Sequence, residues 1–332
     1  MSTTFLIIGL TVILALAFDF INGFHDTANA IATAVSTKAL SPRRAILIAS
    51  IMNFLGAIAF QGVAKTIAKD IVNVNVIHNG SIVILAALVS AIAWNLITWY
   101  YGIPSSSSHA LIGSIAGASI AAAGISAINF KGFSSIIVGL LASPVIAFVV
   151  GYIMFALFKC LFKNLNLSKT NTRFRKLQIL TAATQAFTHG TNDAQKSMGI
   201  ISMALVSSNL IKPGEIPLWV QISCALAMAL GTSVGGWRII KTVGTQIMKI
   251  KPVNGVAADL TSAAIIFGAS HIGLPVSTTH VISSAIMGVG SSNRIKSVKW
   301  DTGKKMITTW FITLPISAAL AAIIYLFIGL FI

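Results

Sequence analysis

Long apolar runs separated by short basic loops set the first expectation for this chain. Mostly apolar stretches span residues 45–63, 82–101, 134–158, 218–236, 256–272 and 306–332. Each is long enough, or nearly so, to cross a hydrocarbon layer of about 30 Å as a helix. Another apolar run, residues 4–21, leads straight into the polar stretch "NGFHDTANA" at residues 22–30, after which apolar residues resume. No basic flank precedes that run, so it reads as a retained helix rather than a cleaved signal. The pattern predicts an all-α polytopic membrane protein.

The polar stretch occurs twice. "FINGFHDTANA" (20–30) aligns without gaps on "FTHGTNDAQKS" (187–197), pairing Phe20 with Phe187, Gly23 with Gly190 and Asp26 with Asp193. Asn22 and His25 face His189 and Asn192, the same two residue types in exchanged order. Further along each copy, "GIPSSSSH" (102–109) matches "GLPVSTTH" (273–280). Two motifs repeated in one order mark a tandem duplication. The expected units are a first membrane repeat at 1–158, a basic linker at 159–177 and a second repeat at 178–332.

Charge then orients the pattern. The chain carries 23 Lys and Arg against 7 Asp and Glu, yet only 9% of its 332 residues are charged and 56% are hydrophobic. Eighteen of the 23 basic residues fall in four loops, at 38–44, 159–176, 238–251 and 294–305. That clustering is the positive-inside signature and predicts four cytoplasmic loops. A nucleic-acid partner would need a basic face or a binding motif, and neither is present. Keeping the four loops on one side gives five crossings per half, at roughly 4–37, 45–64, 81–101, 104–127 and 134–158, then 178–209, 217–237, 256–273, 276–292 and 306–332. An odd number inverts the second half, so the expected architecture is two inverted-topology repeats with about 10–12 membrane segments. Segments after Pro104 and Pro275 stay open as re-entrant hairpins. Cys160 and Cys224 are too few for a disulfide framework and are expected to be reduced.

The motifs carry the candidate chemistry. Asp19, Asp26, Asp193 and Asp259 all lie in expected membrane segments, where an uncompensated charge costs at least about 2.5–3.5 kcal/mol. Asp26 and Asp193 match each other across the repeat, whereas Asp19 and Asp259 have no counterpart and read as structural or supporting. Gly23 and Gly190 weaken the helix and predict breaks at the motifs, with freed backbone groups lining a cavity. The Pro-Ser-rich segments predict half-helices whose N-termini and hydroxyls, from Ser106, Ser107 and Ser108 and from Ser277, Thr278 and Thr279, form a cup for a tetrahedral oxyanion. Lys196 adds a fixed positive charge. Plain N-capping by serine is the competing reading of these segments, and His109 and His280 read equally as core residues. A carboxylate beside an anion is explained by a coupling cation, or by a proton on the oxyanion. The latter favours phosphate over sulfate.

These duplicated motifs resemble the signatures of the PiT family of inorganic phosphate transporters, over nearly the whole chain. The resemblance implies an inverted-repeat secondary transporter with broken helices, moving phosphate with a cation. The positions it matches are Asp26, Asn29, Asn192, Asp193, Ser106, Ser107, Ser108, Ser277, Thr278 and Thr279; taken with Asn22 and Lys196 from the motifs themselves, the expected substrate contacts are Asn22, Asn29, Ser106, Ser107, Ser108, Asn192, Lys196, Ser277, Thr278 and Thr279, and the expected coupling-cation residues are His25, Asp26 and Asp193. The His25–Asp26 pair and "NDAQK" resemble the bacterial proton-coupled branch, which also implies carriage of neutral metal–phosphate complexes. Sodium coupling and a sulfate permease of the same family are the alternatives. No cofactor is expected, the location is the cell membrane, and a homodimer stays open. A membrane phosphohydrolase would have only His25, Asp26, His189 and Asp193 as metal ligands and no further base, so no enzyme is expected. A passive channel would give no role to matched carboxylates.

Overall fold

In a chain this apolar, backbone N–H and C=O groups must find partners within the segment that carries them, which selects helices. The computed structural model describes residues 3–72, 80–163 and 167–331. Among those residues it has twelve α-helices, and the only β pairing is two isolated bridges. The first six helices are α1 (Thr3–Ser36), α2 (Pro42–Ala59), α3 (Gly62–Asp70), α4 (Gly80–Tyr101), α5 (Ser107–Ala123) and α6 (Phe130–Phe162). The second six are α7 (Leu167–Ser207), α8 (Leu218–Val234), α9 (Trp237–Lys241), α10 (Pro252–His271), α11 (Thr278–Asn293) and α12 (Trp300–Gly329).

The second six echo the first in order and in packing. Helix α7 packs on α2 as α1 packs on α8, and α6 holds α11 as α12 holds α5. Short 3-10 turns, Ile125–Ala127 and Ile295–Ser297, precede α6 and α12. Each turn is followed by one isolated bridge, Val72 with Ile128 and Met248 with Val298. Helices α6 and α12 each contain a proline, Pro144 and Pro315. The basic segment at 159–177 is the end of α6 and the start of α7, with residues 164–166 outside those described.

Six described helices, α1, α2, α4, α6, α10 and α12, are individually long and apolar enough to cross a bilayer, and α8 with α9 makes a seventh if taken as one bent span. The other expected segments at 104–127, 178–209 and 276–292 hold α5, α7 and α11. Helices α5 and α11 have 17 and 16 residues, about 25 Å at 1.5 Å per residue, which is short of a full span. They start from extended Pro-Ser segments, and nearly all their residues are buried in protein. Helix α7 has length to spare at 41 residues but is too polar to pass as an ordinary span.

A correction concerns the polar motifs. The expected breaks at Gly23 and Gly190 do not occur: α1 and α7 run unbroken through both motifs. The glycines serve close helix contact instead. A Cβ on Gly23 would collide with the backbone of Met228 and Thr232, and one on Gly190 with the backbone of Asn53. Reciprocally, Gly231 lies against the Phe20 carbonyl and Gly56 against the Phe187 carbonyl. Small residues at such crossings let backbones approach where lipid gives no hydrophobic drive. The breaks fall at Phe60–Gln61, between α2 and α3, and at Gly235–Gly236, where the axis bends by 64°.

The Gly231→Ala substitution is therefore expected to destabilise the protein by roughly 1–3 kcal/mol through overpacking. Gly268→Ala, where nothing lies within 4 Å of the added methyl, should be neutral or better. Thermal unfolding in detergent checks the pair; equal melting temperatures would contradict the packing account.

Candidate functional site

Residues spaced by three, four or seven share a helix face. Asn22, Asp26 and Asn29 thus align on α1, and His189, Asp193 and Lys196 align on α7. The two helices pack against each other, and all six side chains are at most 2% exposed. Ligand atoms of Asp26, His189 and Asp193 lie within 4.8 Å of one another. The two copies of the polar motif therefore meet in one buried cluster.

The second pair of motifs closes over it. Ser106 and Ser277 have extended backbones and cap the short helices, accepting from the N–H of His109 at 3.1 Å and of His280 at 3.3 Å. The first N–H groups of α5 and α11 have no carbonyl within their own helix. Beyond the caps, Ser107 donates to Asp26 Oδ2 at 3.0 Å and Thr278 donates to Asp193 Oδ2 at 2.9 Å. Lys196 Nζ reaches Ser108 Oγ at 2.5 Å, and Asn29 Nδ2 reaches Thr279 Oγ1 at 2.9 Å. Each aspartate takes a hydroxyl from the Pro-Ser segment of its own half. The residue three positions on, Lys196 or Asn29, reaches the segment of the other half.

The charges are paired tightly. Lys196 forms an ion pair with Asp193 Oδ1, and His189 Nε2 lies 3.0 Å from Asp193 Oδ2. His25 Nδ1 lies 2.5 Å from Asp26 Oδ1, while Thr279 donates to the same oxygen at 3.3 Å. Two carboxylates thus share one ammonium and two imidazoles. Hydroxyl donors and two helix N-termini complete the lining, and such N-termini attract anions.

Several expected site residues have other duties here. Ser106 and Ser277 spend their hydroxyls on caps. Asn192 spends both ends of its amide on the segment before α11, accepting from Val276 N–H at 3.2 Å and donating to Leu274 O at 3.3 Å and Ser270 Oγ at 3.1 Å. His25, its counterpart, holds the segment before α5 through Thr98 at 3.2 Å and Ser105 at 3.4 Å while also touching Asp26. Asn22 has no hydrogen-bond partner on either side-chain atom. Asp259 is a structural acceptor, taking Thr33 at 2.7 Å and Thr181 at 3.0 Å. His109 and His280 lie 4.5 Å apart between ring centres with planes tilted by 41°, His280 stacks on Trp310 at 4.1 Å, and the three line an apolar pocket of ≈ 500 Å³ between α6 and α12. Thr98, Ser270 and Gln185 were not singled out by sequence, because each is a lone polar residue in an apolar run. Their only signal is that burial in such a run demands a partner.

Known proteins resemble this arrangement. A model of the phosphate transporter family matches residues 22–321. A probable low-affinity inorganic phosphate transporter of Bacillus subtilis (strain 168) is 68% identical, over 97% of this chain and 97% of that protein. One from Rhizobium meliloti (strain 1021) is 42% identical over 96% of each. The solved structure of a sodium-dependent phosphate transporter superposes with a TM-score of 0.90 at 27% identity, over 98% of this chain and 100% of the other.

Lys196→Met leaves Asp193 without its ammonium and is expected to cost about 3–5 kcal/mol, as removal of one partner from a buried pair does. Adding Asp193→Asn should recover most of that loss. Melting of the single and double variants in detergent decides it; a double variant no more stable than Lys196→Met would show that the pair is not the source of the loss.

Proposed function

Because the chain belongs to the phosphate transporter family, a family of membrane carriers and not of enzymes, we propose that it imports inorganic phosphate by symport with a proton. The observation that carries this reading is the meeting of Asp26 and Asp193 with the N-termini of α5 and α11. The helix ends and the hydroxyls of Ser107, Ser108, Thr278 and Thr279 supply donors for oxyanion oxygens. The carboxylates oppose a bare anion, so they need a reason to sit there. Hydrogen phosphate gives one, because its P–OH donates to a carboxylate. Sulfate near neutral pH has no such hydrogen. Lys196 and Asn29, joined to the opposite half, hold both Pro-Ser segments onto one substrate.

The proton reading rests on His25, an imidazole at 2.5 Å from the Asp26 carboxylate. An imidazole in contact with a carboxylate is an ordinary donor–acceptor pair for passing a proton. Sodium is the alternative coupling ion. The cluster of Asp26, His189 and Asp193 also suits a divalent cation entering with phosphate as cargo, since imidazole and carboxylate are ordinary ligands for such metals. The mirrored packing of the two sets of helices supports inverted repeats in the cell membrane, with the basic loops at 38–44, 159–176, 238–251 and 294–305 cytoplasmic.

Asp26→Asn and Asp193→Asn are each expected to lower gradient-driven phosphate uptake into proteoliposomes by at least about 100-fold, while both proteins still insert and purify. General acid–base and charge-stabilising groups have effects of that order. Wild-type uptake in both variants would remove the proposed role of the cluster.

A further inference from the structure

The segments that lead to the two helix N-termini are clipped at their outer ends in the same way. Helix α4 is followed by Gly102 (φ +66°), and Gly273 (φ +71°) closes the turn after α10. Such left-handed glycines let the next amides bond back onto the last helical turn, as Ile103 does to Thr98 O at 2.9 Å and Leu274 to Ala269 O at 2.8 Å. The chain then runs outside any helix through residues 103–106 and 274–277 to the caps at Ser106 and Ser277. At each bend the glycine carbonyl accepts a threonine hydroxyl. Thr242 donates to Gly102 O at 2.9 Å, and Thr66 donates to Gly273 O at 2.7 Å. Thr66 lies in α3, after the break at Phe60–Gln61, and Thr242 directly follows α9, after the break at Gly235–Gly236.

Sequence and packing both pair these clips across the halves. "GVAKTI" (62–67) and "RIIKTV" (238–243) share a Lys-Thr pair, and the first residue of each stretch abuts the bend. A Cβ on Gly62 would lie 3.0 Å from Gly273 Cα, and one on Gly102 would lie 3.3 Å from Arg238 Cβ. Each threonine hydroxyl also has a second acceptor four residues back in its own helix, Gly62 O and Arg238 O, both at 3.3 Å. A hydroxyl with one proton and two acceptors can let go of the bend and fall back on its own helix without being left unpaired. The two clips differ at one position, glycine at 62 and arginine at 238. The Arg238 guanidinium lies over the rings of Trp99 at 5.5 Å and Tyr100 at 4.9 Å, and its Nη1 donates to Tyr100 O. Near the Gly273 bend the ring contacts are those of Phe60, with Phe267 at 5.6 Å and His271 at 6.4 Å.

We propose that Thr66 and Thr242 are positioning residues that latch the two gates of the carrier, and that Arg238 makes the gate at Gly102 the tighter one. This rests on the reading of the chain as an inverted-repeat phosphate carrier, in which the two bends lie at opposite faces. The side chains of the cluster are at most 2% exposed, so phosphate enters only when a covering segment moves. Residues 103–106 and 274–277 are the segments suited to move, because no helical hydrogen bonds hold them and each starts at a glycine bend that can serve as a hinge. The threonine bond sits at that hinge and is the contact that release must break. Two separate latches let one gate open while the other holds, which coupled transport requires. The difference in latch strength sets which gate the empty carrier opens. With Arg238 holding the bend beside the 238–251 loop, the empty carrier opens at Gly273, on the opposite face, from which an importer loads.

The test labels a reporter cysteine in each segment with a charged, membrane-impermeant maleimide, in right-side-out and inside-out membrane vesicles. The background carries Cys160→Ser and Cys224→Ala. Ser105→Cys reports the segment behind Gly102, and Val276→Cys the one behind Gly273; both native side chains are at most 1% exposed. Thr242→Val removes the hydroxyl and keeps the shape. It should speed labelling of Ser105→Cys from the face of the 238–251 loop by roughly two- to tenfold, the ratio set by one hydrogen bond. Thr66→Val should do the same for Val276→Cys from the opposite face, and Thr→Ser at either position should label at the parent rate. Arg238→Gln should speed labelling at Ser105→Cys by roughly two- to fivefold and leave Val276→Cys unchanged. Unchanged rates in both valine variants, or a rise from both faces alike, would overturn the latches. An Arg238→Gln rate equal to the parent's would overturn the tighter gate. Phosphate uptake by the wild-type chain in the same vesicles separates the two readings: uptake with unchanged labelling overturns the latches alone, and no uptake contradicts the carrier reading, with which this proposal falls. If either reporter variant does not reach the membrane, Ile103→Cys and Leu274→Cys carry the same comparison.

Discussion

A charge without water and without a partner is the least tolerable group in a membrane protein, and the rest of this structure is arranged around that fact. Asp26, Asp193 and Lys196 are at most 1% exposed. Every oxygen of the two carboxylates has at least one neighbour among Lys196, His25, His189, Ser107, Thr278 and Thr279. Those neighbours come from α1, α5, α7 and α11. The same bonds that settle the charges therefore tie the short helices to the long ones.

The glycines make that arrangement geometrically possible. Gly23, Gly56, Gly190 and Gly231 draw α1 onto α8 and α7 onto α2 until backbone touches backbone. With long helices held this closely, the motif faces of α1 and α7 meet in the buried interior. Helices α5 and α11, about 25 Å long, then stop short of a full crossing, because their N-termini end at the carboxylates. Proline and serine at their starts fit that position: the extended segment arrives, the serine caps, and the next hydroxyls face inward.

Helical class and the meeting of the two motifs were legible in the residues, because apolar run length and repeated spacing are local signals. The breaks were misplaced for a physical reason. Glycine reads from sequence as a weak point in a helix, but in a lipid-embedded bundle its missing side chain is worth more as an approach surface. Ser106 and Ser277 illustrate the same limit. Four consecutive hydroxyl residues look equivalent in "SSSS", and only helix geometry decides which one caps and which ones face the carboxylates. Thr98, Ser270 and Gln185 depend wholly on tertiary contacts, so no local pattern points to them.

The central claim is that the two polar motifs and the two helix N-termini form a phosphate site linked to a cation. Its most direct test is uptake of labelled phosphate into proteoliposomes under an imposed proton gradient and, separately, a sodium gradient, with excess unlabelled sulfate present. The account expects accumulation driven by the proton gradient and unaffected by sulfate. Flux indifferent to both gradients, or uptake abolished by sulfate, would contradict it.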